Sequence, residues 1–483
     1  MTTGFNLWDF HPVWDIIIAL AAIFIAVLVE NMLRRKIVPL RRLLLPSPVL
    51  GGFLLLFVSG IWTLIFNNPM IHASHLEIIT YHGLGLGFTG VALKAVKRDK
   101  ANKGAQRDIF NSALVTTSTY LLYGVVGVAI SVGLFFAIGS FPAAGMLVTM
   151  GYGQGPGQAY IWGNIYETAW GFNFGTSFGL ALAAASFVSC SIGGAIYLRS
   201  LKKKGDPRIL AKLSDDGMDE ELKPEDVAGP NEIPLSDSVD KLTVQIGLVF
   251  LAYTISFGVI SLLTFLFNLT GIDLLIETVT PLLWGFNFIF GTLSGIFVRS
   301  MLAKFREKGV IKKQYINNML MDRVSGLFFD IMVIAAIGAI NLAAFRELTI
   351  IVPLIVLAIG ATIAAYFYVR HVTWRLFPKY RDESFLAFYG MLTGTASTGI
   401  ILLREIDPRF ETPAAKNLIY QALWAVLMGF PLLLLMGFAP RSNTWLAIAF
   451  GIMVVMFLLF YGIIRHAIKG VEKREDPAEE AGK

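Results

Sequence analysis

The sequence predicts an all-α polytopic membrane protein with about eleven transmembrane helices. Of its 483 residues, 55% are hydrophobic and 15% are charged, and the mean hydropathy is +0.65, a composition suited to a lipid environment. Apolar stretches of bilayer length recur along the whole chain. Two further apolar stretches, 142–162 and 384–404, are interrupted by glycines in corresponding halves of the chain. We therefore expect two five-helix repeats, each with a re-entrant hairpin, and one extra C-terminal helix.

The transmembrane spans follow from a hydropathy window of about 20 residues, the length of an α-helix that crosses the hydrocarbon core. The first repeat is expected to contain the spans 13–33, 48–66, 75–95, 110–138 and 173–198. The second repeat is expected to contain the spans 243–268, 278–299, 324–343, 349–370 and 415–438. The extra helix is expected at 443–465.

The distribution of charge in the loops predicts the orientation of the chain. Loops such as 67–74 and 270–277 carry no lysine or arginine, whereas every second loop is basic. The basic segments are 34–42, 94–107, 199–204, 304–313, 370–381 and 465–474. Because basic loops remain in the cytoplasm, the N-terminus is expected outside and the C-terminus inside. The expected location is the bacterial cytoplasmic (inner) membrane.

The odd number of spans in each half predicts that the repeats are inverted relative to each other. The expected units are an N-terminal repeat 1–200, a C-terminal repeat 242–440, and an extra helix with a cytoplasmic tail at 441–483. One hairpin would then enter from outside and the other from the cytoplasm, so that their tips meet near the midplane. The linker 201–241 has the polar composition of a solvated cytoplasmic segment, and its acidic run Asp215–Glu221 is expected to be a solvated charge cluster.

The loops at the two hairpin tips are expected to bind substrate, because a broken helix persists at membrane depth only beside a cavity or inside protein. Their glycines free backbone groups, and the polar side chains between them are donors and acceptors. The expected substrate ligands are Tyr152, Gln154, Gly155, Gln158, Ser397, Thr398 and Arg404. For Arg404, snorkelling to the cytoplasmic edge is an equal alternative. For both loops, the alternative is that small residues serve close helix packing.

Oxygen-rich groups in the same loops indicate a site for a hard cation such as Na+. The expected ion ligands are Gly151, Gly153, Thr393, Thr395 and Asp330. Asp330 is included because a carboxylate inside a transmembrane span is costly and is a functional candidate by default. The alternative for Asp330 is a solvated or paired aspartate near one end of its span. No cofactor is expected apart from the coupling ion.

Several other classes of protein fit the sequence less well. The run Val148–Gly153 resembles the filter of potassium channels, but such filters need four like-oriented loops, so an ion channel is only a remote alternative. An enzyme or ATP-driven pump is not expected, because no zinc-protease, nucleophile-elbow or P-loop pattern occurs. The glycine pattern Gly85–Gly90 lacks a preceding strand and is not a nucleotide motif. The basic residues lie in short loops, which argues against a nucleic-acid partner. The single cysteine, Cys190, is expected to pack in a helix interface.

From its second to its tenth helix, the chain resembles the bacterial glutamate:sodium symporter family. The segment Pro46–Gly52 is similar to the proline-and-glycine start of that family's second helix, and 83–98 is similar to its third helix. The two hairpin loops correspond to the family's G-G-H-G-T-A and G-A-T-P-T-A loops, with departures at Gln154, Pro156 and Ala396. The resemblance implies a sodium-coupled symporter of glutamate. It also implies a homodimer with an elevator-like moving core that contains both hairpins.

The expected function is secondary active transport by alternating access, in which Na+ drives the symport of glutamate or a similar small organic anion. An alternative within the same fold is the transport of a different carboxylate, coupled to Na+ or H+. The departures at the hairpin loops are the positions where the specificity of such a relative would differ. The expected partners are therefore the organic anion, Na+, the lipid bilayer and a second copy of the chain.

Overall fold

The computed structural model describes residues 10–37, 40, 44–94, 103–206 and 240–475. Within these ranges every regular element is helical and no strand is present, in agreement with the predicted all-α class. Most of the predicted linker, including its acidic run, lies outside the described residues, as do the ends of the chain.

Within each half of the chain, short connections join most of the successive helices. The first half contains α1 (Phe10–Lys36), α2 (Ser47–Phe66), α3 (Ala73–Leu93), α4 (Lys103–Ile138), α5 (Leu147–Gly151), α6 (Pro156–Trp170) and α7 (Gly175–Lys203). The second half contains α8 (Lys241–Thr270), α9 (Thr280–Gly285), α10 (Asn287–Glu307), α11 (Asn318–Gly338), α12 (Leu348–Leu376), α13 (Arg381–Leu392), α14 (Ala396–Arg404), α15 (Ala414–Tyr420), α16 (Ala422–Phe438) and α17 (Asn443–Glu475).

Ten helices in the described part of the chain are long and apolar enough to cross a membrane, which defines a multi-pass membrane protein. They are α1, α2, α3, α4, α7, α8, α10, α12, α16 and α17. The sequence predicts eleven, and the difference lies in the span expected at 324–343. This segment forms α11, whose 21 residues include the three charged side chains Asp322, Arg323 and Asp330, more than the apolar part of any of the ten spans contains.

The predicted span 278–299 is interrupted in the structure. Helix α9 ends at Gly285, and Phe286 takes φ −90° and ψ +20° before α10 begins. A π-helical turn, Leu274–Val279, precedes α9. The apolar composition of the segment gives no sign of the break, because hydropathy does not depend on whether the backbone is continuous.

The first helix group comprises α1 to α3 and α8 to α11, with α3 at its centre. Helix α3 packs against both α10 and α11, while α2 packs on α11, α1 on α2 and α8 on α10. The glycines of α3 permit this close approach: a Cβ at Gly83 would lie 2.9 Å from the Cβ of Met332, and one at Gly87 would lie 2.6 Å from the ring of Phe329. The glycine-rich run therefore serves helix packing.

The second helix group is arranged around α4, which packs against α12, α16 and α17. The elements around the two broken segments, α5 to α7 and α13 to α15, complete this group. Helix α6 also contacts α3 and α11, so it joins the two groups. Cys190 of α7 is fully buried, with its Sγ 3.8 Å from the carbonyl oxygen of Gly390, and the prediction that it packs inside the protein is confirmed.

Candidate functional site

The first broken segment folds back on itself between α4 and α7. Phe141, which precedes its first helical turn, stacks on Phe172, which follows α6, with ring centroids 4.5 Å apart. Since the two ends of the segment lie together, the loop 152–155 is its far end, here called the first tip. Gly155 takes φ +84°, a backbone conformation that favours glycine, and Pro156 then begins α6 at the position proline prefers.

The second broken segment consists of α13 and α14, joined by the loop 393–395, here called the second tip. The two helices are antiparallel and very close, since a Cβ at Gly390 would lie 2.7 Å from the Cα of Gly399. Thr398 closes the turn, because its Oγ1 accepts a hydrogen bond from the amide of Thr395 (2.7 Å) and donates to the carbonyl of Gly390 (2.6 Å). This capping box fixes the start of α14.

The first segment lies along the C-terminal half of α4. At its entrance, the hydroxyl of Ser131 donates to the carbonyl of Pro142 at 2.7 Å. At its tip, a Cβ on Gly153 would lie 2.6 Å from the ring of Tyr120. Tyr120 stands near the middle of α4, so the first tip reaches about halfway along that helix.

The second segment lies along the N-terminal half of α4. At its entrance, the hydroxyl of Tyr380 donates to a carboxylate oxygen of Asp108 at 2.8 Å. Near its tip, the hydroxyl of Tyr123 donates to the carbonyl of Leu392 at 2.5 Å. The two segments therefore approach from opposite ends of α4 and stop near the same level.

The two tips contact each other. A Cβ on Gly155 would lie 3.3 Å from Cγ2 of Thr395 and 3.6 Å from the carbonyl oxygen of Gly394. Both α6 and α14 begin at this point, and both α5 and α13 end there. Two positive helix N-termini and two negative helix C-termini thus converge on one place, an arrangement that favours an anion and a cation side by side.

Tyr152 of the first tip is fully buried, and its hydroxyl has partners within the protein. It lies 2.9 Å from the carbonyl of Ala358, 3.1 Å from the hydroxyl of Ser189 and 3.2 Å from that of Thr362. These bonds tie the first tip to α7 and α12. The hydroxyl of Tyr152 is therefore occupied in the structure.

Gln158, in the first turn of α6, differs from Tyr152 because its polar atoms form no hydrogen bond with the described residues. Its side chain is 1% exposed, and neither its Oε1 nor its Nε2 has a hydrogen-bond partner among the described residues. The same holds for the indole nitrogen of Trp162, one turn further along the same face. Because most buried polar groups in proteins are hydrogen-bonded, the unpaired amide close to the first tip makes Gln158 a candidate for binding a ligand.

The other predicted residues of the first tip differ in exposure. Gln154 is half-buried, whereas Gly151 and Gly153 are buried. A Cβ on Gly151 would lie 3.0 Å from the Cβ of Leu182 on α7. The small size of these glycines thus allows close helix packing, which is the alternative interpretation of the loop, while their carbonyl groups remain part of the tip.

The predicted residues of the second tip also divide by exposure. Thr393 is fully buried and donates to the carbonyl of Tyr389 at 2.6 Å, and Thr395 is half-buried beside Gly155. Ser397, in the first turn of α14, is exposed. Of the residues predicted at this tip, Ser397 is the most exposed.

Two predicted site residues are not brought to the tips. Arg404 ends α14, nine residues after Thr395 and hence roughly 13 Å from the tip along the helix. Its guanidinium lies over the ring of Phe410. Asp330 is on α11 in the other helix group, and its side chain is exposed. Met332 of the same helix lies against Gly157, close to the first tip. Because Met332 and Asp330 are two residues apart on a helix, they face different sides.

Sequence patterns did not identify every residue that shapes this site. Ser189 and Thr362 hold the first tip, but they occur in ordinary apolar spans and carry no local signal. The sequence gives only a weak indication of Trp162: it follows Gln158 by four residues, so the two side chains share one face of a helix. No cluster of three or more His, Cys, Asp or Glu side chains suited to a metal ion occurs in the described residues. A cation at the tips would be held by carbonyl, amide and hydroxyl oxygens.

The fold and the site define the protein at the level of class: it is a multi-pass helical membrane protein with two broken helical segments that meet inside it. No protein-family model matches the chain, and no curated protein matches it.

Proposed function

We propose that the protein is a secondary active transporter that carries a small organic anion, glutamate or a close chemical relative, together with Na+. The observation that carries the proposal is the meeting of the two tips halfway along α4 beside the unpaired amide of Gln158. In this proposal, the positive N-termini of α6 and α14 attract the anion, and Gln158 forms hydrogen bonds with it. Freed carbonyl groups at the ends of α5 and α13 coordinate Na+.

The proposal treats both broken segments as re-entrant hairpins in inverted repeats. Its support is the symmetry of the helix packing: α2 packs on α11 as α10 packs on α3, and α1 packs on α2 as α8 packs on α10. Helices α3 and α11, and likewise α4 and α12, pack against each other as equivalent partners of such a repeat would. Segments that enter from opposite ends of α4 provide access from the two sides of the membrane in turn.

The charge of the substrate explains the need for a coupling ion. A membrane potential of about 100 mV, negative inside, opposes the entry of each negative charge by about 2.3 kcal/mol. Co-transport of two or more Na+ reverses the sign of the transported charge and uses the sodium gradient. Neutral oxygen ligands at the tips suit this ion, which must bind and leave in every cycle.

We place the protein in a bacterial cytoplasmic membrane with its N-terminus outside and its C-terminus inside. The basic last turns of α1, α7 and α10 support this orientation, while α2 and α8 end without basic residues. We also propose a homodimer in which the second helix group moves against the first. The division of the described helices into two groups, joined through α6, supports a moving core.

Uptake of labelled glutamate into proteoliposomes tests the proposal. Purified protein is compared under an inward sodium gradient and an equal potassium gradient, with empty liposomes as the control. We expect saturable accumulation with sodium only.

Accumulation of other carboxylates, but not glutamate, would favour the second candidate, a relative of the same fold with different specificity. An inward proton gradient in the same assay separates H+ from Na+ coupling. Non-saturable flux down the gradient would contradict a transporter and favour a channel.

A further inference from the structure

A groove on the outer surface of the second helix group lies between α12 and α17. It has a volume of about 460 Å³ and is lined by Phe367, Tyr368, His371, Phe457, Leu458 and Tyr461. The ring of Tyr368 lies 5.6 Å from that of Phe457 and 6.4 Å from that of Tyr461, so the floor is aromatic. Phe367 and Leu458, which are 64% and 60% exposed, form the two walls.

The two helices run in the same direction, so their basic ends lie together. Helix α12 follows Asn341, whose amide bonds to Ser177 at the start of α7, and α17 follows Arg441, which lies over Trp170 at the end of α6. Both helices therefore begin at the end of the molecule where the first segment enters. Their lengths, roughly 44 and 50 Å, exceed the hydrocarbon core of about 30 Å, so the basic ends reach the headgroups.

The end of the groove is positively charged. Arg375 stands one turn beyond His371 on α12, with its Nη1 3.3 Å from the histidine Nε2. Arg465 stands one turn beyond Tyr461 on α17, and Lys469 follows on the next turn; all three basic side chains are exposed. Helix α12 contains no carboxylate, and the first carboxylate on α17 is Glu472. The groove thus combines an apolar channel with a cationic mouth at headgroup depth.

We propose that this groove binds one phospholipid with an anionic headgroup. An acyl chain lies along the aromatic floor between Phe367 and Leu458, and the phosphate is held between Arg375 and Arg465. Arginine suits this role because its planar group donates two parallel hydrogen bonds to a phosphate. The lipid bridges α12, which leads into the second broken segment, and α17, the helix beyond the repeats. The site is independent of the transported substrate.

Native mass spectrometry of the full-length protein tests the site. The protein in detergent is mixed with equal amounts of dioleoyl phosphatidylglycerol and dioleoyl phosphatidylcholine, which share acyl chains and differ in charge. We expect one phosphatidylglycerol per chain to be retained, with a preference over phosphatidylcholine of about 30-fold from two arginines near a charged headgroup. Equal retention of the two lipids would overturn the proposal.

Variants distinguish binding of an anionic lipid in this groove from general attraction of such lipids to the basic ends of the helices. Arg375→Gln with Arg465→Gln should reduce the preference to near onefold, and Leu458→Trp, which fills the groove, should reduce retention of both lipids. Lys308→Gln with Lys312→Gln removes two exposed lysines outside the groove and is the matched control, which should leave the preference unchanged. An equal effect of both double variants would overturn the site. A change in oligomeric mass with Leu458→Trp would show that a second copy covers the groove instead.

Discussion

At the scale of residues, two buried polar side chains at or near the first tip differ in their hydrogen bonding. Tyr152 and Gln158 are both buried, but only the tyrosine has partners for its polar atom. A buried polar group without a partner costs about 1–3 kcal/mol, whereas a buried group that is paired contributes to stability. Tyr152 therefore holds the tip in place, whereas the amide of Gln158 is the group that the proposed function assigns to the anion.

Replacement of these two residues should have opposite effects on stability. Gln158→Met keeps the shape and removes the unpaired amide, so the free energy of unfolding should stay the same or rise, while uptake should fall at least tenfold. Tyr152→Phe removes the hydroxyl and with it the contacts to Ala358, Ser189 and Thr362 that tie the first tip to α7 and α12, which should cost about 1–2 kcal/mol. Thermal unfolding and uptake, measured on the same preparations, check both outcomes. Loss of stability in Gln158→Met would contradict its assignment as a ligand.

At the scale of elements, the second broken segment depends on contact between two backbones. Gly399 packs directly against the carbonyl of Ala387, and Gly390 packs against Gly399. No side chain lies between α13 and α14 at this point, so the pair has no flexible atom that can move aside. The separation of these helices is therefore set by glycine alone.

A single methyl group should open this helix pair. In Gly399→Ala the new Cβ would collide with the backbone of Ala387, at a cost of about 1–3 kcal/mol, and uptake should be lost. Gly429→Ala in α16 is the control, because a Cβ there meets nothing within 4 Å and alanine favours a helix. Unfolding temperature and uptake are measured for both. Normal uptake by the Gly399 variant would show that close packing of α13 and α14 is not required.

The success of sequence reasoning also differs between elements. Glycine spacing and apolar length predicted both broken segments, because they depend on local backbone freedom and on the thickness of the membrane. The break at Phe286 was not predicted, since it depends on how α9 and α10 meet other helices. Arg404 lies away from the tip because α14 continues for nine residues, about two and a half turns, after Thr395. The lack of a partner for Gln158 depends on distant neighbours that no local pattern reveals.

At the scale of the whole molecule, the two helix groups meet through α6, and this contact offers a test of relative movement. A Cβ on Gly157 would lie 3.1 Å from the Cβ of Leu84 on α3. This separation is shorter than the range of about 3.5–4.5 Å between Cβ atoms joined by a disulfide, so cysteines at both positions should bond on oxidation after a shift of a few tenths of an ångström.

Under the proposed mechanism, the cross-link should trap the protein in one state. Leu84→Cys with Gly157→Cys should lose uptake when oxidised and recover it on addition of a reductant, because the second helix group can no longer move along the first. Each single variant is treated identically as the control. Full uptake by the oxidised double variant, with the cross-link verified by mass spectrometry, would exclude movement at this interface.

The only thiol of the chain stands behind the second tip. Cys190 faces the carbonyl of Gly390, at the position where α13 and α14 are closest, and it has no access to solvent while that pair is closed. The rate at which a small thiol reagent modifies Cys190 should therefore report how often the packing of α7 against α13 opens, with no engineered label. Because Cys190 is buried, thiol reagents should label cysteines introduced on the surface with little background from the native thiol.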